Sequence, residues 1–360
     1  MHQRAKGVVL CADDKPAASS ALALLIANRP IISHVLEGLA SAGVEEVAIV
    51  ASAEGIAQIR PVVEADAEAP TPSYLVRRGQ GLLALLAAAA AFVGNAPCVL
   101  QRGDGVAGPP PTRFIDLLRA QRPDLMVLTH RGPDDCERLD RALARLPGGA
   151  AIARGPRLGL AGLCALGPGA FALLCGPHSP RQAAGASARS AAPSTPESDL
   201  GAILNRLAAG GGSLQVERLG AWHRYRGRTL DLIEMNRIVL DRMPWEADIP
   251  EPGDNRIEGR VRIEPGAQIS ASVVVGPTVI GAHARIIASA IGPYTSVGPR
   301  AHIEGSEVSS SIILEGARIM YVGERIEDSM IGGGARITRD LALPRAMRLH
   351  VPGGSEVSLP

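Results

Sequence analysis

Residues 257–291 read IEGRVRIEPGAQISASVVVGPTVIGAHARIIASAI, and the beat set there continues to residue 337. Aliphatic side chains recur at Ile257, Ile263, Ile269, Val275, Ile280, Ile286, Ile291, Val297, Ile303, Val308, Ile313, Ile319, Ile326, Ile331 and Ile337, in steps of five, six or seven residues. Small or β-branched residues stand two before many of them: Val261, Ala267, Val273, Ala284, Thr295, Ala301, Ala317 and Ala335. A beat centred on six, with one large side chain turned inward per face, is the pattern of a hexapeptide β-helix. Gly266, Gly276, Gly281, Gly292, Gly298 and Gly316 supply corners. The reading gives a β-helix over 256–345 and a C-terminal tail over 346–360.

Before it, Met243–Asn255 (MPWEADIPEPGDN) carries three prolines and several acids, so it reads as a linker. The texture upstream is different. Lys6–Cys11 (KGVVLC), Val47–Ala51, Ala96–Leu100 and Leu125–Thr129 are unbroken apolar runs, as buried parallel strands are. Pro30–Ala42, Gly81–Phe92 and Arg113–Ala120 read as helices between them, with Asp199–Ala208 and the amphipathic Thr229–Arg242 following. Alternating strands and helices predict a Rossmann-like, doubly wound, mostly parallel α/β sheet over residues 1–242. Ligands of such sheets bind beyond the carboxyl ends of the strands, which places Cys11–Asp14 and Arg102–Gly105 at the mouth. Ser179–Glu197 lacks apolar periodicity and reads as a loop.

Composition narrows the function classes. The 360 residues carry a formal net charge of +1 and 2% aromatics, so neither nucleic acid nor an anionic membrane is an expected partner. The longest apolar run, Leu82–Phe92, is too short to span a bilayer. Met1–Gly7 is polar and Val8–Cys11 is too short for a secretory h-region, so a cytoplasmic location is expected. Five scattered cysteines without a CxxC fit reduced thiols rather than zinc.

Several segments resemble the long form of bacterial glucose-1-phosphate thymidylyltransferases, in the sugar-1-phosphate nucleotidyltransferase family. Lys6–Leu10 is similar to that family's first strand. Asn28–Ile31, Val35–Leu39 and Ala42–Val44 are similar to its first helix. Gly162–Phe171 (GLCALGPGAF) and Leu232–Asp241 (LIEMNRIVLD) resemble later segments. The β-helix, including Ile291–Gly298 (IGPYTSVG), is similar throughout. The resemblance implies a left-handed coil. It also implies a chemistry in which a sugar phosphate attacks an NTP, so that catalysis is positioning and charge neutralisation. A glycine-rich loop, an Arg, a Lys and two aspartates holding Mg²⁺ would supply it.

Most of those residues are replaced. The family's GGxGTRL loop stands here as Ala12-Asp13-Asp14-Lys15-Pro16, with no glycine, and the lysine position aligns with Ala21. Arg102–Gly105 (RGDG) matches the family's LGDN, which makes Asp104 the first metal aspartate. The second falls on Tyr225 within Trp222–Gly227 (WHRYRG). Val76–Leu82 (VRRGQGL) keeps only Gly81 and Leu82 of the base-recognition motif. The residues gained are basic or titratable: Arg77, Arg78, Arg102, His223, Arg224, Tyr225 and Arg226. The resemblance puts all of them near the old cleft, with Asp104, His223 and Tyr225 as an acid–base set and Gly81 and the arginines as ligand contacts.

The expected protein is therefore a nucleotidyltransferase-fold chain that has lost NTP chemistry and needs no cofactor. It would serve as a regulatory or scaffold partner of an active paralogue, or use its cleft for another small molecule in bacterial specialised metabolism. The β-helix predicts a homo-oligomer. The alternative is a divergent active thymidylyltransferase, which would use Mg²⁺. A further alternative reads His283 or His302 as the site of a hexapeptide acyltransferase.

Overall fold

The computed structural model describes residues 4–11, 20–79, 81–108, 112–121, 123–130, 159–168, 170, 213–244 and 253–339. The expected loop at Ser179–Glu197, the helix at Asp199–Ala208 and the stretch Asp13–Lys15 lie outside them.

The α/β part is built on a seven-stranded sheet. Its strands are β1 (Lys6–Leu10), β2 (Glu46–Ala51), β3 (Ser73–Val76), β4 (Cys98–Arg102), β6 (Leu125–His130), β7 (Gly159–Leu166) and β8 (Leu214–Arg218), in the order β8-β6-β7-β4-β1-β2-β3. Only β7 runs antiparallel to its neighbours. Strands β5 (Gly105–Ala107) and β9 (Trp222–Arg224) form a separate antiparallel pair at the carboxyl end of β4.

Successive side chains of a strand point to opposite faces, and the core divides accordingly. Val9, Ile49, Val99 and Met126 join one apolar cluster, with α1 (Ile31–Ser41), α2 (Ala53–Glu64), α4 (Thr112–Gln121) and α5 (Thr229–Asp241). Val8, Val50, Leu100 and Val127 join the other, with α3 (Leu82–Val93). That is the doubly wound arrangement expected. Element α2 goes unnamed in the sequence reading because Pro61 sits inside it. Its start is fixed by Ser52, whose Oγ accepts a hydrogen bond from Gly55 N at 3.1 Å.

The C-terminal part is a parallel β-helix with three sheets, consistent with the left-handed class that the resemblance implies. The register pairs Ile257 with Val274, Val274 with Ile291, and Ile291 with Val308. Each of these coils is therefore 17 residues, two faces stepping by six and one by five, whereas the later register steps by 16 at Val297–Ile313 and by 18 at Ile313–Ile331. This corrects one position of the sequence reading. Val274 is fully buried, whereas Val275 is half-buried and Val273 is 39% exposed. Two residues before the inward positions on this face stand Ser272, Ser289 and Ser306, not Val273.

These serines explain the shorter step. Ser272 Oγ donates to Ser270 O at 2.7 Å and accepts from Ser289 N at 3.1 Å. Ser289 Oγ donates to Ile287 O at 2.7 Å and accepts from Ser306 N at 3.3 Å. Ser306 Oγ continues the ladder to Val322 N at 3.0 Å. Each hydroxyl satisfies a backbone amide of the next coil that would otherwise be buried without a partner.

The two parts meet along α5. The side chain of Asn236, 1% exposed, accepts from Ala27 N at 2.7 Å and Ser296 Oγ at 2.6 Å, and donates to Tyr294 O at 3.0 Å. Asn28 Nδ2 donates to Val297 O at 2.8 Å. Ile312 belongs to the same apolar cluster as α1 and α5, so the β-helix packs on the α/β part through one continuous core. Among the described residues, no helix is long and apolar enough to cross a membrane.

Candidate functional site

Parallel pairing of β1, β2, β3 and β4 brings their carboxyl ends to one edge. Leu10 lies beside Arg102, Cys11 N donates to Val50 O, and Arg77 N donates to Ala51 O. Cys11, Arg77, Arg102 and Asp104 thus gather at the expected mouth.

At its centre is a closed charge cluster. Arg102 reaches across the tight turn after β4 and grips Asp104 with two bonds, Nε to Oδ1 at 2.9 Å and Nη2 to Oδ2 at 2.6 Å. Arg224 Nε lies 3.7 Å from the same Oδ2. Both Asp104 and Arg102 are close to seven-eighths buried, their side chains 13% and 14% exposed. A bidentate guanidinium–carboxylate pair in that setting is strong and geometrically fixed. The clasp is closed from above by β9, because Tyr225 N donates to Asp104 O at 2.8 Å and Arg224 pairs with Gly105.

Glycines make the packing possible. A Cβ on Gly105 would lie 2.4 Å from the Trp222 ring, and one on Gly162 would lie 2.6 Å from Arg102 Cδ. The indole and the arginine stem therefore fill the space that side chains at 105 and 162 would need.

Cys11 sits within the field of the cluster. Burial, reinforced by Asp104 and opposed by Arg102 and Arg77, pushes its thiol up to about 12. It is a neutral S–H at physiological pH, not a thiolate nucleophile. The sequence reading places Cys11 at the mouth without giving it a role.

His223 is not brought to this cluster. It alternates with Arg224 along β9, so it faces the other way. Its Nε2 lies 3.2 Å from Asp231 Oδ1, in the first turn of α5. Burial raises the Asp231 carboxyl, but bonds from Arg228, the Arg226 amide and His223 outweigh it and hold the carboxyl at about 2. His223 and Asp231 anchor a helix start, and the sequence-based set of Asp104, His223 and Tyr225 is not assembled. Tyr225 packs its ring against the core. Arg226 is exposed, with its amide on Asp231. Arg78 is exposed on the rim, and Gly81, at φ +83°, turns the chain into α3.

The described residues do not fit Mg²⁺. The oxygens of Asp104 are both engaged by Arg102, and Arg224 adds a second positive charge beside them. Among the described residues, no group of three His, Cys, Asp or Glu side chains is placed to hold a metal ion.

Comparison with known proteins gives relatives of one kind. The chain is 29% identical over 328 residues to a glucose-1-phosphate thymidylyltransferase of Streptomyces griseus, covering 90% of this chain and 89% of that one. It is 32% identical over 163 residues to a glucose-1-phosphate thymidylyltransferase of Streptomyces antibioticus, 46% of that protein's length. It is 26% identical over 166 residues to the low-salt glycan biosynthesis nucleotidyltransferase Agl11 of Haloferax volcanii, again 46% of that length. A solved structure of a putative glucose-1-phosphate thymidylyltransferase from Bacillus anthracis, in complex with a sucrose, superposes with TM-score 0.47 at 17% identity, covering 68% of this chain and 98% of that one. No family model matches.

Proposed function

We propose that this chain is a member of the sugar-1-phosphate nucleotidyltransferase family, a reading its 29% identity along 90% of its length to the S. griseus protein supports, and that it has lost metal-dependent nucleotidyl transfer. Its α/β cleft instead holds an anionic small molecule without a metal ion. The observation that carries this reading is the Arg102–Asp104 clasp, which consumes the one aspartate left at the metal position.

Transfer to the α-phosphorus of an NTP needs the charge of two phosphorylated reactants neutralised at once. A divalent cation held by carboxylates does this in the family the sequence resembles. Here Arg102 takes the cation's place on Asp104. Displacing it would strip a bidentate guanidinium from a mostly buried carboxylate and leave the arginine without its counter-ion. The local balance among the described residues is positive, with Arg77, Arg102 and Arg224 around one carboxylate. Such a pocket attracts an anion by fixed charge. The protonated Cys11 thiol supplies a weak donor and no nucleophile.

A protein of this kind serves a pathway by binding rather than by turnover. It acts as a regulatory or scaffolding partner of an active relative, or as a carrier of another small molecule in bacterial specialised metabolism. The β-helix supplies a rigid surface for assembly, including with copies of itself. A cytoplasmic location accords with such a role.

A second reading, an active glucose-1-phosphate thymidylyltransferase making dTDP-glucose and pyrophosphate, draws on the likeness to the S. griseus protein along 90% of the chain. One assay separates the two. Purified protein is incubated with dTTP, glucose 1-phosphate and Mg²⁺, and pyrophosphate release is followed. The proposal expects no release above a no-enzyme control. Release that disappears in Asp104→Asn overturns it.

A further inference from the structure

The β-helix turns one of its three sheets toward the α/β part. Val279, Ser296 and Ile312 point outward from that sheet and are buried, and Ser296 bonds Asn236 of α5. A second sheet points elsewhere. Its strands are Gln268–Ser270, Arg285–Ile287, His302–Glu304, Arg318–Met320 and Arg336–Thr338. The middle residues Ile286, Ile303 and Ile319 are fully buried, so the first and third residue of each strand face outward.

The first positions stand in one column. Arg285 lies beside His302, His302 beside Arg318, and Arg318 beside Arg336. Arg285, Arg318 and Arg336 are exposed, and among the described residues the side chain of none of them makes a hydrogen bond or ion pair. Four other arginines on the β-helix are matched. Arg256 lies 2.7 Å from Glu258, Arg260 3.5 Å from Asp241 and Arg325 2.5 Å from Glu307, and Arg300 pairs with Glu315. Among the described residues, Glu304 is the one acid on the face of the column. It is already engaged, 3.2 Å from His302 Nε2 and accepting from the Tyr321 hydroxyl.

Like charges on neighbouring strands repel, and nothing within the described β-helix offsets this column. The spacing says what would. Neighbouring strands lie about 4.8 Å apart, so the column from Arg285 to Arg336 is about 14 Å long. Acids at i, i+3 and i+4 along an α-helix recur about every 5.3 Å, close enough for arginine side chains to follow. Acids on alternate residues of an extended strand recur about every 6.7 Å and outrun the column by roughly 6 Å over three steps. The third positions beside the column include Ile287 and Met320, both half-buried. They offer apolar contact to a helix but no aromatic platform for nucleic-acid bases.

We propose that this face of the β-helix docks an acidic α-helix of a partner protein, with one stripe of carboxylates on the arginine column and aliphatic residues beside it. The surface is separate from the sheet mouth, and the proposal stands whether or not the metal-dependent chemistry there is lost.

The test is fluorescence anisotropy of the full chain with a labelled synthetic helix of about 15 residues, Glu on one stripe at i, i+3 and i+4 and Leu beside it. A scrambled isomer of equal charge is the control. The proposal expects saturable binding at least about tenfold tighter than that of the isomer, weakening as salt rises. Arg318→Glu is expected to weaken it about tenfold or more with Tm level, since no bonded partner is lost. Arg256→Glu, the same change of charge on another sheet, is expected to alter it less than about twofold. Absence of saturable binding overturns the proposal, as does equal binding of the isomer or unchanged affinity in Arg318→Glu. A single-stranded oligonucleotide of equal charge that binds more tightly than the helix also overturns it. So does a dimer in sedimentation that Arg318→Glu splits, which would give the face to a second copy of the chain.

Discussion

The sheet mouth and the start of α1 each hold arginine drawn out of water, and they resolve the charge in opposite ways. At the mouth, Arg102 closes on Asp104 and Arg224 stands behind, so the carboxylate is spent inside the protein. Ahead of α1, Arg29 is met by Glu37, Asp66 and Glu68, so one guanidinium is shared by three carboxylates. The first place carries a surplus of guanidinium and the second a surplus of carboxylate. Arginine content alone would have ranked the mouth first.

That contrast is broken most sharply by removing the carboxylate at the mouth. Asp104→Ala leaves two part-buried guanidiniums without their counter-ion, and chemical denaturation should show a loss of about 3 kcal/mol. A loss under about 1 kcal/mol would mean that the clasp is loose. The polar seam between the two parts comes next. Asn236→Leu strands the Ala27 amide, the Ser296 hydroxyl and the Tyr294 carbonyl, so a loss of about 2–3 kcal/mol is expected.

Acid sharpens the comparison further. The folded pKa of His34, about 3, lies below its ordinary value. The unfolded chain therefore binds the extra proton first, and stability falls as pH drops from about 6.5 toward 3, by up to about 1.4 kcal/mol per pH unit. His34→Gln should flatten that slope in denaturation curves taken between pH 7 and 4. Asp231, whose folded pKa is about 2, adds its own loss only as pH falls below about 4. The smallest effect belongs to Arg242→Gln, which should leave ligand-free stability level or raise it by less than about 1 kcal/mol, because no bonded partner is lost.

The fold is legible wherever one residue's role repeats. The inward aliphatics from Ile257 to Ile337 announce the β-helix, since a single missed beat would expose a large side chain. The slip from Val274 to Val275 comes from counting sixes where serine corners shorten one face to five. The unbroken apolar runs of β1, β2, β4 and β6 likewise mark a parallel sheet. Helix α2 escapes because Pro61 disguises it.

The site is legible only in part. Resemblance carries Asp104 and Arg102 to the sheet mouth, but neither residue type reveals that the two grip each other. That pairing depends on a turn of two residues and on room left by Gly162. His223 goes to the cleft in the sequence reading because adjacency in Trp222–Arg224 hides the alternation that turns it toward Asp231.

The central claim is that Asp104 is unavailable to a metal, and Mn²⁺ binding reads it directly. Electron paramagnetic resonance of Mn²⁺ titrated with the chain and dTTP should show only the free and nucleotide-bound ion in the wild type. In Arg102→Leu, which frees the carboxylate, a protein-bound signal should appear. A protein-bound Mn²⁺–dTTP signal at micromolar concentrations in the wild type, lost in Asp104→Asn, would contradict the account.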